Sequence, residues 1–253
     1  MTSLYIVSLI KFIKNSLKTL RFLNPFYLSK KLKYTENRIK KLDQKCKNLD
    51  FLLKNQFLKE VTGVIHVGAN TGQERFLYQS LDLDVIWIEP IPEVYKILSK
   101  NIKSMPKQKV INSLITDEEN KLYKFNITDN KGLSSSIFEL NLHKKLWPEI
   151  QSNKFIKLKS TTLDSIFKKK DFDIDKYQTL IMDTQGSELL VLNGCKSILN
   201  KFLYIKTEVA NFEAYTNCCK LEEMNKFMIA SQKRNFCPKN SPTIIYNLLS
   251  PLL

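Results

Sequence analysis

The sequence predicts an α/β fold, a parallel sheet with helices on both faces, preceded by basic N-terminal helices. Three observations carry this. From Val61 the segment VTGVIHVGANTGQERFLYQSL reads as a buried strand, a glycine-bearing turn and a helix opening near Gln73. A second apolar run, Leu83 to Ile88, ends in Glu89, 21 residues after Gly68. A third, Leu180 to Met182, ends in Asp183, and Gln185-Gly186 then opens another helix. Short apolar runs alternating with helical stretches mark strands covered on both faces.

A chain of 253 residues, 43% hydrophobic, holds one α/β domain of ordinary size and an appendage. The boundary is expected between 60 and 61. The net charge of +15 is unevenly spread: residues 1–60 carry 14 Lys/Arg against 4 Asp/Glu, and the other 193 carry 26 against 21. The basic excess therefore belongs to the N-terminal segment. No basic stripe with interleaved aromatics follows it, so no nucleic-acid partner is expected. Five cysteines (Cys46, Cys195, Cys218, Cys219, Cys237) form no CxxC pair, and only two histidines accompany them. They read as reduced thiols of a cytoplasmic protein, and no metal site is expected.

Within residues 4–23, Lys11, Lys14, Lys18 and Arg21 interrupt an otherwise apolar stretch, which excludes a membrane span. Those cations and Ile10, Ile13, Leu17 and Leu20 fall on two helical stripes. Such a helix lies in an anionic membrane surface, on its cytoplasmic face, or packs on the protein itself. Asn24-Pro25 ends it. Leu32, Thr35, Ile39, Leu42, Cys46, Leu49 and Leu53 then repeat at steps of three and four. This is a short coiled-coil seam over 32–53 that would make a homo-oligomer, or a helix packed on the domain.

Gly68 and Gly72 let the backbone turn sharply and approach a ligand, and a carboxylate at the next strand tip, Glu89, is placed to accept both hydroxyls of an adenosine ribose. A nicotinamide dinucleotide site has G-x-G-x-x-G. The loop here, Gly68-Ala69-Asn70-Thr71-Gly72, lacks the middle glycine and suits a ligand without pyrophosphate.

Six blocks in order resemble the FkbM-type methyltransferases, a class I S-adenosyl-L-methionine-dependent family. They are VIHVGANTGQ (64–73), WIEPIPEVYKIL (87–98), GLSSSIF (132–138), TTLDSI (161–166), IMDTQGSELLVLNG (181–194) and IKTEV (205–209). The family pattern carries an acid where His66 stands, so His66 is either a cofactor contact or a core histidine. The resemblance implies a Rossmann-like class I methyltransferase sheet over 61–253. It also implies that Gly68, Asn70 and Gly72 line the methionine side of the cofactor and that Pro90 with Ile91 flank the adenosine. Ser134 and Ser135 would approach from a small insertion after a third strand (Lys109 to Ile115), and Asp183 would lie near the transferring methyl.

A hydroxyl acceptor must lose its proton as it attacks the methyl, so a base is expected. Asp183, Glu208 and His143 are the candidates: two strand-end acids, and a histidine with a suitable ordinary pKa. The resemblance points to a sugar hydroxyl in glycan or polysaccharide biosynthesis as acceptor, taken as a small molecule or glycan. The competing readings are a nicotinamide-dependent oxidoreductase and a non-catalytic membrane-associated scaffold with a decayed enzyme domain.

Overall fold

The computed structural model describes residues 25–233 and 243–249. The chain divides into two compact units, Met1–Phe57 and Leu58–Leu253. In the first, α1 (Pro25–Lys54) is one helix of 30 residues. It begins at a proline, whose missing N–H costs nothing at the first helical position. The expected amphipathic helix over 4–23 lies outside the described residues. Along the expected seam, Thr35 and Ile39 are half-buried, while Leu42 and Leu53 are 58% and 61% exposed.

The second unit is an α/β domain. Its six-stranded sheet is formed by β1 (Gly63–Val67), β2 (Asp84–Glu89), β3 (Gln108–Asn112), β7 (Thr179–Met182), β8 (Tyr204–Ala210) and β9 (Thr243–Leu249). The strand order is β3-β2-β1-β7-β8-β9 and every neighbouring pair is parallel. This is the doubly wound Rossmann-like order, which reverses direction between β1 and β7. The helices are α2 (Arg75–Ser80), α3 (Pro92–Asn101), α4 (His143–Leu146), α5 (Leu163–Lys170), α6 (Glu188–Asn193) and α7 (Leu221–Lys233).

The strands are apolar because both faces are covered. Ile65, Ile86, Ile88, Leu180 and Ile205 pack with Leu163, Ile166 and Phe167 of α5 and with Val191 and Leu192 of α6. On β1 and β2, His66 and Trp87 are register partners and stack, with ring centroids 5.0 Å apart. Tyr78 of α2 closes over Trp87 at 5.1 Å. The indole N–H of Trp87 donates to Gln108 at 2.9 Å, so that buried polar atom is satisfied.

The expected third strand, Lys109 to Ile115, is two strands in the structure. β3 ends at Asn112, and β4 (Leu114–Ile115) leaves the main sheet to pair with β6 (Ser152–Thr161). With β5 (Leu122–Thr128) antiparallel to β6, these make a second, three-stranded sheet. Ser113 is the point of departure: its N–H still donates to the Glu89 carbonyl, and beyond it the chain changes partner.

Candidate active site

A cleft of about 820 Å³ of empty space, open at its mouth, lies at the tips of β1, β2 and β7. It occupies the reversal of strand order, where open α/β sheets bind ligands. Gly68 has φ +80°, and a Cβ there would fall 1.9 Å from the Asp183 carbonyl oxygen, so only glycine lets the loop pass the tip of β7. The Asp183 N–H in turn donates to the Val67 carbonyl at 3.0 Å, extending the β1–β7 pairing into the site.

Every backbone N–H of the loop is bonded inside the protein. Gly68 and Ala69 both donate to the Ile88 carbonyl, at 3.0 and 3.1 Å, and Gly72 donates to Ala69 at 2.9 Å. Asn70 donates to Glu89 Oε2 and Thr71 to the Asn70 side-chain oxygen, both at 2.8 Å. A pyrophosphate needs such N–H groups free. The dinucleotide reading therefore lacks its cradle.

Glu89 is 4% exposed, at the end of β2. Its Oε2 accepts from Asn70 and its Oε1 from the Ile91 N–H at 2.9 Å. Each oxygen keeps a lone pair for a ligand. Burial pushes its pKa up to about 7; the two N–H donors oppose this, and the Asp183 charge adds to it. Pro90 and Ile91 also line the cleft, and Ile91 clusters with Leu114 and Phe125 into an apolar wall suited to an adenine ring.

The insertion closes one side. Gly132, Leu133 and Ser135 line the cleft, as does Asn70, whose amide donates to the Lys131 carbonyl at 3.2 Å. Ser135 Oγ accepts from Thr128 N–H at 3.0 Å, and Ser136 Oγ donates to the Gln185 carbonyl at 2.8 Å. Ser134 and Gly72 are not among the lining residues. Ser134 is held by Asn130 and Thr128, and Gly72 faces Leu98 of α3, 2.5 Å from where its Cβ would stand.

Asp183 lines the cleft, and Gln185 ties it to the next strand. The Gln185 amide nitrogen donates to Asp183 Oδ1 and to Glu208 Oε2, the latter at 3.0 Å, while its oxygen accepts from the Tyr215 hydroxyl. Gln185 adopts φ +55° to do so, and Gly186 follows at φ +101°. Glu188, 2% exposed, holds this turn by accepting from the Thr184 and Gly186 N–H groups at 3.0 and 3.1 Å. Glu208 lines a second, much smaller cavity behind Gln185, a residue common to both. Burial and the neighbouring Asp183 charge push Glu208 up to about 8. Burial also raises Asp183, although its surface stays open towards the cleft mouth; solvent therefore screens part of that push until a ligand fills the cleft.

His143 is 4% exposed and lines neither cavity; it packs against Trp147 and Tyr215 with ring centroids 4.7 and 5.4 Å away. His66 lines the cleft and is also packed in the core, with Nδ1 3.0 Å from the Tyr78 hydroxyl. Burial lowers its pKa, so its ring is a neutral group in the cleft wall. Glu74, Ser113, Leu114, Phe125 and Gln185 are among the lining residues not expected from the sequence. For Glu74 there was a signal: an acid two residues after the glycine turn.

The profile of the methyltransferase FkbM domain matches residues 66–237, more than half of the chain. The chain belongs to this family, and it is an S-adenosylmethionine-dependent methyltransferase. No curated protein sequence matches it significantly. Among solved structures it is similar to the yeast methylglyoxal/isovaleraldehyde reductase Gre2 complexed with NADPH. That likeness has a TM-score of 0.37 and 10% identity; it covers 74% of this chain and 53% of the reductase, about half of its length.

The lining residues fit the cofactor. S-adenosylmethionine is a cation overall, with sulfonium and ammonium against one carboxylate. Among the described residues the cleft is lined by Glu74, Glu89 and Asp183 and by no lysine or arginine, in a chain of net charge +15.

Proposed function

We propose that the enzyme methylates a hydroxyl oxygen, with Asp183 as the base, on a sugar or related glycan precursor. The observation that carries the hydroxyl reading is the Asp183–Gln185–Glu208 bridge at the cleft edge, which fixes a carboxylate beside the cofactor space. Bound S-adenosylmethionine supplies an activated methyl whose departure leaves a neutral sulfide. What remains for the protein is to align the acceptor oxygen, exclude water and take one proton.

In this reading Glu89 accepts from the ribose hydroxyls, Pro90 and Ile91 flank the adenine, and the Gly68–Asn70 turn supports the methionine side. Asp183 takes the acceptor proton. Burial, in part screened at the open cleft mouth, and the Glu74 charge raise the proton affinity of the Asp183 carboxylate, which suits it to this role. Glu208 and Gln185 hold Asp183 in place. The sugar acceptor rests on the family resemblance. Attachment to an anionic membrane surface through residues 4–23 would bring the enzyme to lipid-linked acceptors on the cytoplasmic face.

The test is a panel of free and lipid-linked sugars incubated with S-adenosylmethionine, followed by S-adenosylhomocysteine release and mass shift of the acceptor. Methyl ether formation on any member supports the reading. Methylation confined to amine or carboxylate acceptors overturns it.

A further inference from the structure

Three carboxylates line the cofactor cleft, and two of them are already engaged. Glu89 takes a backbone N–H on each oxygen, and Asp183 takes the Gln185 amide. Glu74 differs. Among the described residues no hydrogen bond or ion pair reaches its carboxylate, though it is half-buried and lines the cleft. It occupies the residue before α2, where a side chain often caps the helix, yet makes no such bond. The adjacent cation does not neutralise it: the Arg75 guanidinium donates to the Gly72 carbonyl at 2.9 Å and lies over the Phe76 ring at 4.4 Å. A cleft carboxylate without a partner in the protein is open to a cationic ligand group.

Its place in the cleft says which part of the ligand it meets. The Glu74 charge acts on His66 at the end of β1 and on Asp183 at the end of β7. Asp183 in turn acts on Glu89, beside the apolar wall of Ile91, Leu114 and Phe125. All three acids line one cleft, with Glu89 at the tip of β2 beside the apolar wall, Asp183 at the tip of β7 and Glu74 just after the turn that follows β1. With the apolar wall on the β2 side, a ligand whose ribose is at Glu89 extends its amino-acid tail towards β1 and β7, and Glu74 follows the β1 turn. His66 brings no negative charge there, because burial keeps its ring neutral.

We infer that Glu74 receives the α-ammonium of the cofactor's methionine tail. The inference rests on the cofactor placement proposed above, with ribose at Glu89. It makes Glu74 the residue that separates ligands with a charged amino-acid tail from those without one.

Calorimetry with two ligands tests it: S-adenosylhomocysteine, and 5′-methylthioadenosine, which keeps the adenosine and a thioether but has no amino-acid tail. Glu74→Gln keeps the shape and removes the charge. It should weaken S-adenosylhomocysteine at least tenfold, as loss of a charged hydrogen bond does, and leave 5′-methylthioadenosine within about twofold. Glu74→Asp, with the charge drawn back by one methylene, should fall between. Glu89→Ala should weaken both ligands. Unchanged S-adenosylhomocysteine affinity in Glu74→Gln, or equal losses for the two ligands, overturns the inference and leaves the ribose assignment standing. Equal affinity of Glu89→Ala and wild type for both ligands overturns the ribose assignment and the inference with it.

Discussion

The main-chain N–H of Asn70 points at Glu89 Oε2 across 2.8 Å, so the glycine turn after β1 is anchored to the tip of β2 by the carboxylate that faces the ligand. Glu89 therefore has two tasks, and its variants should show both. Glu89→Ala removes the acceptor of the Asn70 and Ile91 N–H groups together with the ribose contact. Its S-adenosylhomocysteine affinity should fall by about 2 kcal/mol or more, and its melting temperature should fall too. Glu89→Gln is informative because an amide has one oxygen and one NH2. With two N–H donors facing it, one meets a donor, so this near-isosteric variant should also melt lower. A Glu89→Gln protein with wild-type melting temperature and affinity would contradict the double role.

The cleft carboxylates make an unusual pH profile. Glu89 and Glu188 are raised to about 7 and Glu208 to about 8, each chiefly by burial, from an ordinary 4.5. A group whose folded pKa is raised contributes stability that is full below its unfolded pKa and is lost as pH rises through the folded value. The ligand-free protein should therefore melt at a higher temperature at pH 5.5 than at pH 8.5. Glu119, lowered to about 2 by its hydrogen bonds, stays ionised across that interval and does not enter. Cofactor affinity should run the other way. Ribose hydroxyls donate to an ionised Glu89, so affinity should rise through about pH 7. Thermal scans with and without S-adenosylhomocysteine at both pH values check the two signs, and a higher ligand-free melting temperature at pH 8.5 would refute the first.

Asp183→Asn offers a clean separation of chemistry from structure. An asparagine oxygen at this place can still accept the Gln185 amide, so the turn and the cofactor site should hold. Turnover should drop about 100-fold or more, typical for loss of a positioned base, with S-adenosylhomocysteine affinity nearly unchanged. Gln185→Leu should behave differently. It leaves Asp183 and Glu208 without their common donor and the Tyr215 hydroxyl with only the Ser134 carbonyl at 3.3 Å, so stability and turnover should fall together. Near-wild-type turnover in Asp183→Asn would remove it from the mechanism.

Much of this site is legible in the sequence because it is written at strand tips. A strand followed by Gly68, a second strand ending in Glu89 and a third ending in Asp183 are local patterns, and the parallel topology puts those tips together. The second sheet was less visible as one. Phe125, Ile127, Ile156 and Leu158 alternate with polar residues as strand residues do, yet which strands they join depends on Ser113 releasing the chain from β2. Pairing over such distances has no local signature. The Gln185 bridge was hidden for another reason. A glutamine at φ +55° is not a propensity-favoured choice, and its value appears only once β7 and β8 lie side by side.

The first unit invites a test of self-association. Leu42 and Leu53 are exposed on α1, and the repeat from Leu32 to Leu53 continues the same spacing. A helical dimer through this seam would bury them. Sedimentation should give an oligomer for the full chain and a monomer after removal of residues 1–57. A full-length monomer at high micromolar concentration would rule the seam out.

The bonded N–H groups of the Gly68–Gly72 turn also limit what evolution or an engineer can do with this scaffold. Exchanging side chains around the cleft could change which acceptor enters or how tightly a tail is held. It could not free the Gly68 and Ala69 amides, which are committed to the end of β2. Recruiting a phosphate-bearing coenzyme would require rebuilding the loop itself, through altered length or an added glycine. Preference for one coenzyme is thus stored in the course of the backbone, beyond the reach of substitutions in the cleft wall.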